Sequence, residues 1–254
     1  MFSSAIVRIP GKSLIDGLTD SKHLGVPDYA NAINQHKSYI EALQFCGLEV
    51  TILEPCEEYP DSTFVEDVAL ITPRCAIITR PGAESRRGEV EKIISVLETQ
   101  FNNLEAIEAP GTIEAGDIMM VGSHYYIGLS DRTNIQGAKQ LINLLEKHGY
   151  TGSTVDLKDV LHLKTGLSYL ENNMLVVCGE FISDPIFSEF EQIEIPQSES
   201  YAANSIWVND NVIIPSGYPV AKDKISASGY NVLEVDVSEF KKLDGGLSCL
   251  SLRY

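Results

Sequence analysis

Phe64-Val65-Glu66-Asp67-Val68-Ala69-Leu70-Ile71, a polar turn at residues 72–74, and Cys75-Ala76-Ile77-Ile78-Thr79 decide the fold. Two short apolar runs joined by so short a turn read as paired strands. A polar loop follows, then a helical pattern from Arg87 to about Leu97. Thr112-Ile113-Glu114-Ala115-Gly116-Asp117-Ile118-Met119-Met120-Val121 repeats the scheme. Its turn is 122–124, its second strand 125–128, its loop 129–134 and its helix Ile135–Lys147.

The scheme recurs further along the chain. A third copy begins at His162-Leu163-Lys164-Thr165-Gly166-Leu167-Ser168-Tyr169-Leu170, turns at Glu171-Asn172-Asn173 and returns through 174–178. A fourth begins at Ala203-Asn204-Ser205-Ile206-Trp207-Val208 and returns through 212–215, with a helix at 220–228. A fifth closes only by joining the ends: a strand over 246–252 beside 4–9, then a helix at 29–46 and a strand at Glu49–Leu53. Repeats of about 40–50 residues mean a closed array or a solenoid. The expectation is one α/β domain over 1–254, a ring of five ββαβ-type units closed by pairing the N- and C-terminal segments. An ordinary α/β sheet with accidental similarity is the alternative.

The tail that closes the ring is Asp244-Gly245-Gly246-Leu247-Ser248-Cys249-Leu250-Ser251-Leu252-Arg253-Tyr254. It reads as a buried strand, and a cysteine entering a strand from a Gly-Gly turn is placed like a nucleophile. A core cysteine is the competing reading, since free cysteine is commonly buried. Five cysteines, an odd number, are widely scattered, without a Cys-x-x-Cys or His-Glu-x-x-His pattern. A disulfide framework and a structural zinc are therefore not expected.

The formal net charge is −17, from 36 acidic and 19 basic residues. A field of that sign repels nucleic acid and anionic membranes and tolerates a cationic small molecule. No run approaches the roughly 18 apolar residues of a membrane span. The apolar start of the chain is short and broken by Arg8, unlike a signal peptide. A cytoplasmic location is the expectation.

If the units are equivalent, the residues opening their first strands point at one place. These are Glu66 and Asp67, Glu114 and Asp117, His162, Asn204, and Ser248 with Cys249. Buried ionisable groups are costly unless paired or functional. Glu66 and Asp67 sit in what reads as an apolar strand; alone they could cap a helix. His162, between Leu161 and Leu163, could alone be a core histidine. Loops in equivalent slots carry Arg86 and Arg132, and two arginines at one mouth would hold a carboxylate bidentately. An acidic interior with a cysteine and a histidine, and a basic rim, describes a ligand such as arginine. Thiolate attack on a guanidinium carbon fits that set, with the histidine as general acid and base.

Phe64-Val65-Glu66-Asp67, Arg80-Pro81-Gly82-Ala83-Glu84-Ser85-Arg86-Arg87, Glu114-Ala115-Gly116-Asp117, His162-Leu163-Lys164-Thr165-Gly166 and Asp244-Gly245-Gly246-Leu247-Ser248-Cys249 resemble the dimethylarginine dimethylaminohydrolases. That family sits in the guanidine-modifying superfamily with arginine deiminase and the amidinotransferases. The resemblance covers essentially the whole chain. It implies a five-bladed α/β propeller and hydrolysis of Nω-methylated arginines to citrulline and a methylamine, without cofactor or metal. It implies Cys249 as nucleophile, His162 as general acid and base, and Glu114 as the carboxylate that binds the guanidinium and supports the histidine. Asp67 is similar to the second guanidinium ligand. Glu66, Asp61 and Phe64 resemble pocket residues, Arg86 and Arg132 the binders of the α-carboxylate, and Leu18 the lid over the substrate. Ser248, beside the nucleophile, is expected at the ligand. A homodimer is implied too. The rivals are an arginine deiminase, a citrulline or ureido hydrolase, an arginine-binding protein without activity, and a thiol redox sensor.

Overall fold

A computed structural model describes residues 1–254. The strands form five three-stranded sheets. In each, the first strand pairs antiparallel with the second and the second parallel with the third. A parallel return needs a crossover, and a helix supplies it in four of the five sheets. By its contacts the chain divides into two compact units, Glu66–Thr165, and Met1–Val65 with Gly166–Tyr254.

The unit Glu66–Thr165 holds two repeats. The first has strands Ala69–Ile71, Ala76–Ile78 and Leu104–Ala106, with the helix Glu91–Gln100 before the third. The second has strands Ile118–Val121, His124–Leu129 and Thr151–Asp156, with the helix Ile135–Lys147. Asn134 caps that helix, its side chain accepting from the Gly137 N–H at 2.8 Å. Ala138, Leu141 and Leu145 recur at helical spacing and bury completely with Ile77, Ile113 and Ile127. Each such leucine contributes about 1.5–3 kcal/mol of burial.

The other unit holds three repeats. In the terminal one, Ser4–Arg8 lies between Leu252–Arg253 and Glu49–Leu53, in the register Ile6↔Leu252 and Ile6↔Thr51. The N–H groups of Ser3 and Ser4 both donate to the Tyr254 carbonyl, so N- and C-terminal segments pair as expected. The helix Tyr29–Phe45 is capped by Asp28 and buries Ala32, His36, Tyr39, Ile40 and Leu43. A second repeat pairs Ile206–Val208, Asn211–Pro215 and Asn231–Val235, with the helix Pro219–Ala227. A third pairs Leu167–Tyr169, Met174–Val177 and Glu191–Glu194, but two 3-10 turns, Gly179–Phe181 and Pro185–Phe187, replace its helix. Phe187 packs there against Phe181 and Phe190, at ring separations of 6.1 and 6.3 Å.

The structure corrects the sequence reading at one recurring place. The segments read as the opening residues of first strands lie on or beside short helical stretches that precede those strands, single turns in four repeats and a kinked seven-residue stretch before Ile206–Val208. The stretches are Val65–Val68, Ala115–Asp117, Leu163–Gly166, Gln197–Ala203 and Ser248–Leu250. Glu66, Asp67 and Asp117 thus sit on turns rather than in strands, and Glu114, His162, Asn204 and Cys249 sit on or beside them. An alternating apolar pattern cannot separate a buried turn from a buried strand when both are surrounded by core. No helix is long and apolar enough to cross a membrane.

Candidate active site

Four charged groups interlock inside the unit Glu66–Thr165. Glu114 is 2 % exposed. Its Oε1 accepts from the Ala83 N–H at 3.0 Å, and its Oε2 lies 2.9 Å from His162 Nε2. Asp67 accepts from the Gly116 N–H at 2.9 Å on Oδ1 and from Arg86 at 2.6 Å on Oδ2. A Cβ on Gly116 would stand 3.0 Å from the His162 ring and 3.1 Å from Asp67 Oδ1, so a side chain there would crowd the two residues apart. Asp117 accepts from the Leu163 N–H at 3.0 Å and the Ser130 hydroxyl at 2.7 Å, which fixes the turn that carries His162.

Burial alone would push the His162 pKa down. The hydrogen bond to Glu114 and the charges of Asp117, Asp67 and Glu114 together outweigh it and raise the value to about 9. Burial opposes ionisation of Asp67, yet Arg86, His162 and the Gly116 N–H hold its carboxyl below the ordinary range. Burial and the Asp67 charge push Glu114 up, while the bond to His162 and the charges of Arg86 and His162 bring it below its usual value. Burial wins at Asp117, whose pKa is raised. Both carboxylates expected to hold a guanidinium are therefore already ionised beside cations of the chain itself.

Arg86 stands differently from expectation. It is buried, not on a rim, between Asp67 and Glu89, whose Oε2 is 2.9 Å from Nη2. Burial would lower its pKa, but Glu89 and Asp67 raise it well above the ordinary value. A guanidinium so enclosed props Asp67. Arg132 is half-exposed, and its backbone passes so close to Gly82 that a Cβ there would lie 2.4 Å from the Arg132 carbonyl oxygen. Glu66 is buried and paired with Lys164. One donor atom each from Asp67, Glu114 and His162 lie within 4.8 Å of one another, close enough to share a cation. A metal there would have to displace the proton of His162 and compete with Arg86.

The other unit holds Cys249. It is half-buried on the turn Ser248–Leu250. Its N–H donates to the Gly246 carbonyl at 3.2 Å, and the Gly246 N–H points back at Sγ at 3.4 Å. Ser248 is taken up by Asn204: its N–H donates to Asn204 Oδ1 and its hydroxyl accepts from Asn204 Nδ2, both at 3.0 Å. Its expected place at a ligand becomes a place in the turn. Phe64 is buried edge-on against Phe240 at 6.2 Å, and a Cβ on Gly245 would fall 2.2 Å from its ring. It floors the turn. Asp61, also buried, accepts from the Leu18 N–H at 3.0 Å. Leu18 itself is 42 % exposed. The segment after it is stitched down: Thr19 donates to the Lys242 carbonyl at 2.8 Å, and Asp20 N–H to Asp244 at 2.7 Å.

A family model for N,N dimethylarginine dimethylhydrolase, eukaryotic, matches residues 28–250. The chain belongs to the dimethylarginine dimethylaminohydrolase family. It is 61% identical over 255 residues to the N(G),N(G)-dimethylarginine dimethylaminohydrolase of Pseudomonas aeruginosa, covering all of both chains. To the protein of that name from Streptomyces coelicolor it is 31% identical, covering 98% of this chain and 96% of the relative. A cysteine-to-serine mutant of the Pseudomonas aeruginosa enzyme, complexed with citrulline, matches over all of both chains with a TM-score of 0.99 and 60% identity. A histidine-to-glycine dimethylarginine dimethylaminohydrolase bearing an S-methyl-L-thiocitrulline adduct matches at 0.98. The N-terminal domain of ArgZ shares the fold, with a TM-score of 0.89 at 20% identity. The five-unit α/β reading is thus the fold of this family.

Within that family setting, Asp67, Glu114 and His162 are brought together as expected, and Arg86 joins them as a partner of acids. Sequence reasoning missed Glu89 and Lys164, the partners of Arg86 and Glu66. Glu89 follows Arg86 by three residues, the spacing of neighbours on a helical turn, and that was the available signal.

Proposed function

We propose that the protein hydrolyses Nω-methylated L-arginines to L-citrulline and di- or monomethylamine through a covalent thiouronium on Cys249, with residues 1–254 acting as one catalytic domain. The observation that carries the reading is the His162–Glu114 pair. An imidazole with a pKa of about 9 is almost fully protonated at neutral pH. It is a ready acid for the step in which an amine must leave.

In the proposed reaction the Cys249 thiolate adds to the guanidinium carbon. His162 gives its proton to the departing methylamine, and the C–N bond breaks. The now neutral imidazole takes a proton from water as that water adds to the thiouronium carbon. Collapse breaks the C–S bond, releases citrulline and restores the thiolate, and the remaining hydroxyl proton passes to solvent. Thiol, acid and water supply every atom, so no cofactor enters. Glu114 and Asp67 face the cationic head, each oxygen keeping lone pairs beyond those used by Ala83, His162, Gly116 and Arg86. Arg132, with its guanidinium outside the buried ion-pair network, is assigned to the α-carboxylate. Leu18 is assigned to the lid, which Asp61 anchors. Glu66 and Phe64 shape the pocket from behind. A cytoplasmic enzyme and a homodimer fit the same reading.

Incubation with asymmetric dimethylarginine, monomethylarginine, arginine and citrulline in parallel tests it. The expected result is citrulline and a methylamine from the first two, and a slow or undetected release from arginine. A methyl pocket discriminates by only about 1–3 kcal/mol. Preferential release of ammonia from arginine would make the protein a deiminase instead.

A further inference from the structure

The turn that presents Cys249 is held by a residue far from it in sequence. Asn204 is 7 % exposed and follows the helical stretch Gln197–Ala203. Its amide meets Ser248 twice, accepting the N–H and donating to the hydroxyl, both at 3.0 Å. The same amide lies flat against Gly246. A Cβ on Gly246 would be 2.5 Å from Asn204 Cγ and Oδ1. Ser248 opens the turn Ser248–Leu250, and Gly246 lies two residues before it. The Gly246 N–H is the group that donates to Sγ at 3.4 Å, and the Gly246 carbonyl accepts the Cys249 N–H at 3.2 Å.

We infer that Asn204 is the positioning residue of the nucleophile: by gripping Ser248 and pressing on Gly246 it holds the Gly246 N–H against the sulfur of Cys249. A donor aimed at sulfur favours the thiolate over the thiol. Asparagine suits the task because one side chain supplies both an acceptor and a donor. Gly246 is required because only a missing side chain lets its backbone lie on the Asn204 amide. The titratable and charged groups about the turn are Tyr201, Asp244, Lys241 and Tyr39, whose hydroxyl donates to the Leu247 carbonyl at 2.9 Å. Burial, and then the neighbouring Cys249, keep the Tyr201 phenol neutral well above its ordinary range, and its hydroxyl donates to the Gly245 carbonyl at 2.7 Å. Asp244 lies five residues before Cys249, and Lys241 Nζ sits 4.9 Å over the Tyr201 ring. All of them are kept in the variants, so the comparison with the parent isolates the Asn204 amide.

The inference rests on Cys249 as nucleophile, and its test does not depend on turnover. Alkylation of Cys249 by iodoacetamide, followed by peptide mass across a pH series, gives the midpoint of thiolate formation in the parent, Asn204→Ala and Ser248→Ala. Asn204→Ala moves the midpoint up by about one pH unit, a tenfold loss of thiolate at fixed pH. Ser248→Ala, which removes one of the two hydrogen bonds, moves it the same way by less. With dimethylarginine, kcat falls in step while KM changes little. Gly246→Ala lowers kcat in the parent more than in Asn204→Ala, where the space is open. Midpoints equal to the parent's in both variants would overturn the inference, even with a lowered melting temperature. If Asn204→Ala does not fold, the Ser248→Ala midpoint decides alone. Shifted midpoints in a protein that does not turn over methylarginines would sink the proposed substrate and leave this inference standing.

Discussion

Replacing Glu114 by glutamine removes one charge and keeps the shape. Its Oε1 can still accept the Ala83 N–H, so the change is local. What is lost is the ionic partner 2.9 Å from His162 Nε2. Two unit charges about 4 Å apart at an effective dielectric of about 20 interact by about 4 kcal/mol, equivalent to about three pKa units. With that attraction gone, burial again opposes the imidazolium. The His162 titration should fall from about 9 to the ordinary imidazole value or below. At pH 7 the protonated fraction drops from about 99% to about a quarter or less, taking about 6.5 as the ordinary value. The assay is a titration of isotope-labelled imidazole by NMR, paired with kcat across pH. The parent should lose leaving-group protonation only toward pH 9; the variant should lose it near neutrality, where kcat falls. Stability follows the same group. A folded pKa above the unfolded one gives stability that is full below about pH 6.5 and lost as pH rises through about 9, on the order of 3 kcal/mol. Glu114→Gln should flatten that slope. A His162 midpoint within half a unit of the parent's would refute the reasoning.

Three further outcomes follow from the same geometry. Arg86→Met leaves Asp67 and Glu89 buried without their cation and should destabilise the fold by about 3–5 kcal/mol in chemical denaturation; a loss under about 1 kcal/mol would contradict the enclosed pairing. Arg132→Ala should weaken methylarginine binding more than binding of its decarboxylated analogue, measured calorimetrically; equal losses would remove it from the carboxylate. Asp244→Asn keeps a residue suited to the left-handed backbone there, at φ 57°, but supplies one acceptor oxygen in place of two to Asp20 and Ser21. Amide exchange at residues 18–21 should quicken and KM rise; unchanged exchange would show that Asp61 and Lys242 alone fasten the lid.

The repeats were readable because each carries two short apolar runs and four of the five a helix, and the helix Ile135–Lys147 and the strand Glu49–Leu53 fall where the pattern puts them. The third repeat lacked a helical pattern, and the structure has 3-10 turns there. Ionisable residues inside apolar runs marked Asp67, Glu114 and His162, because core packing alone would not choose them. Partners were less legible. Arg86 was read as an arginine on the basic rim since sequence gives no depth, and only its enclosure by Asp67 and Glu89 reveals a buried cation. Ser248 and Phe64 were read by their nearness to the chemistry, whereas their bonds and packing run into the turn itself.

The short helical stretch ahead of each first strand separates two kinds of inheritance. The strands answer for folding, while the stretch is an address whose letters are rewritten only together with the partners that hold them. Glu66 and Asp67 stand at one such address, Glu114 and Asp117 at a second, His162 at a third, Asn204 at a fourth and Cys249 at the fifth. A library over these positions would set new chemistries on a standing frame only where a buried charge and its partner change together, as Asp67 must with Arg86 and Glu66 with Lys164.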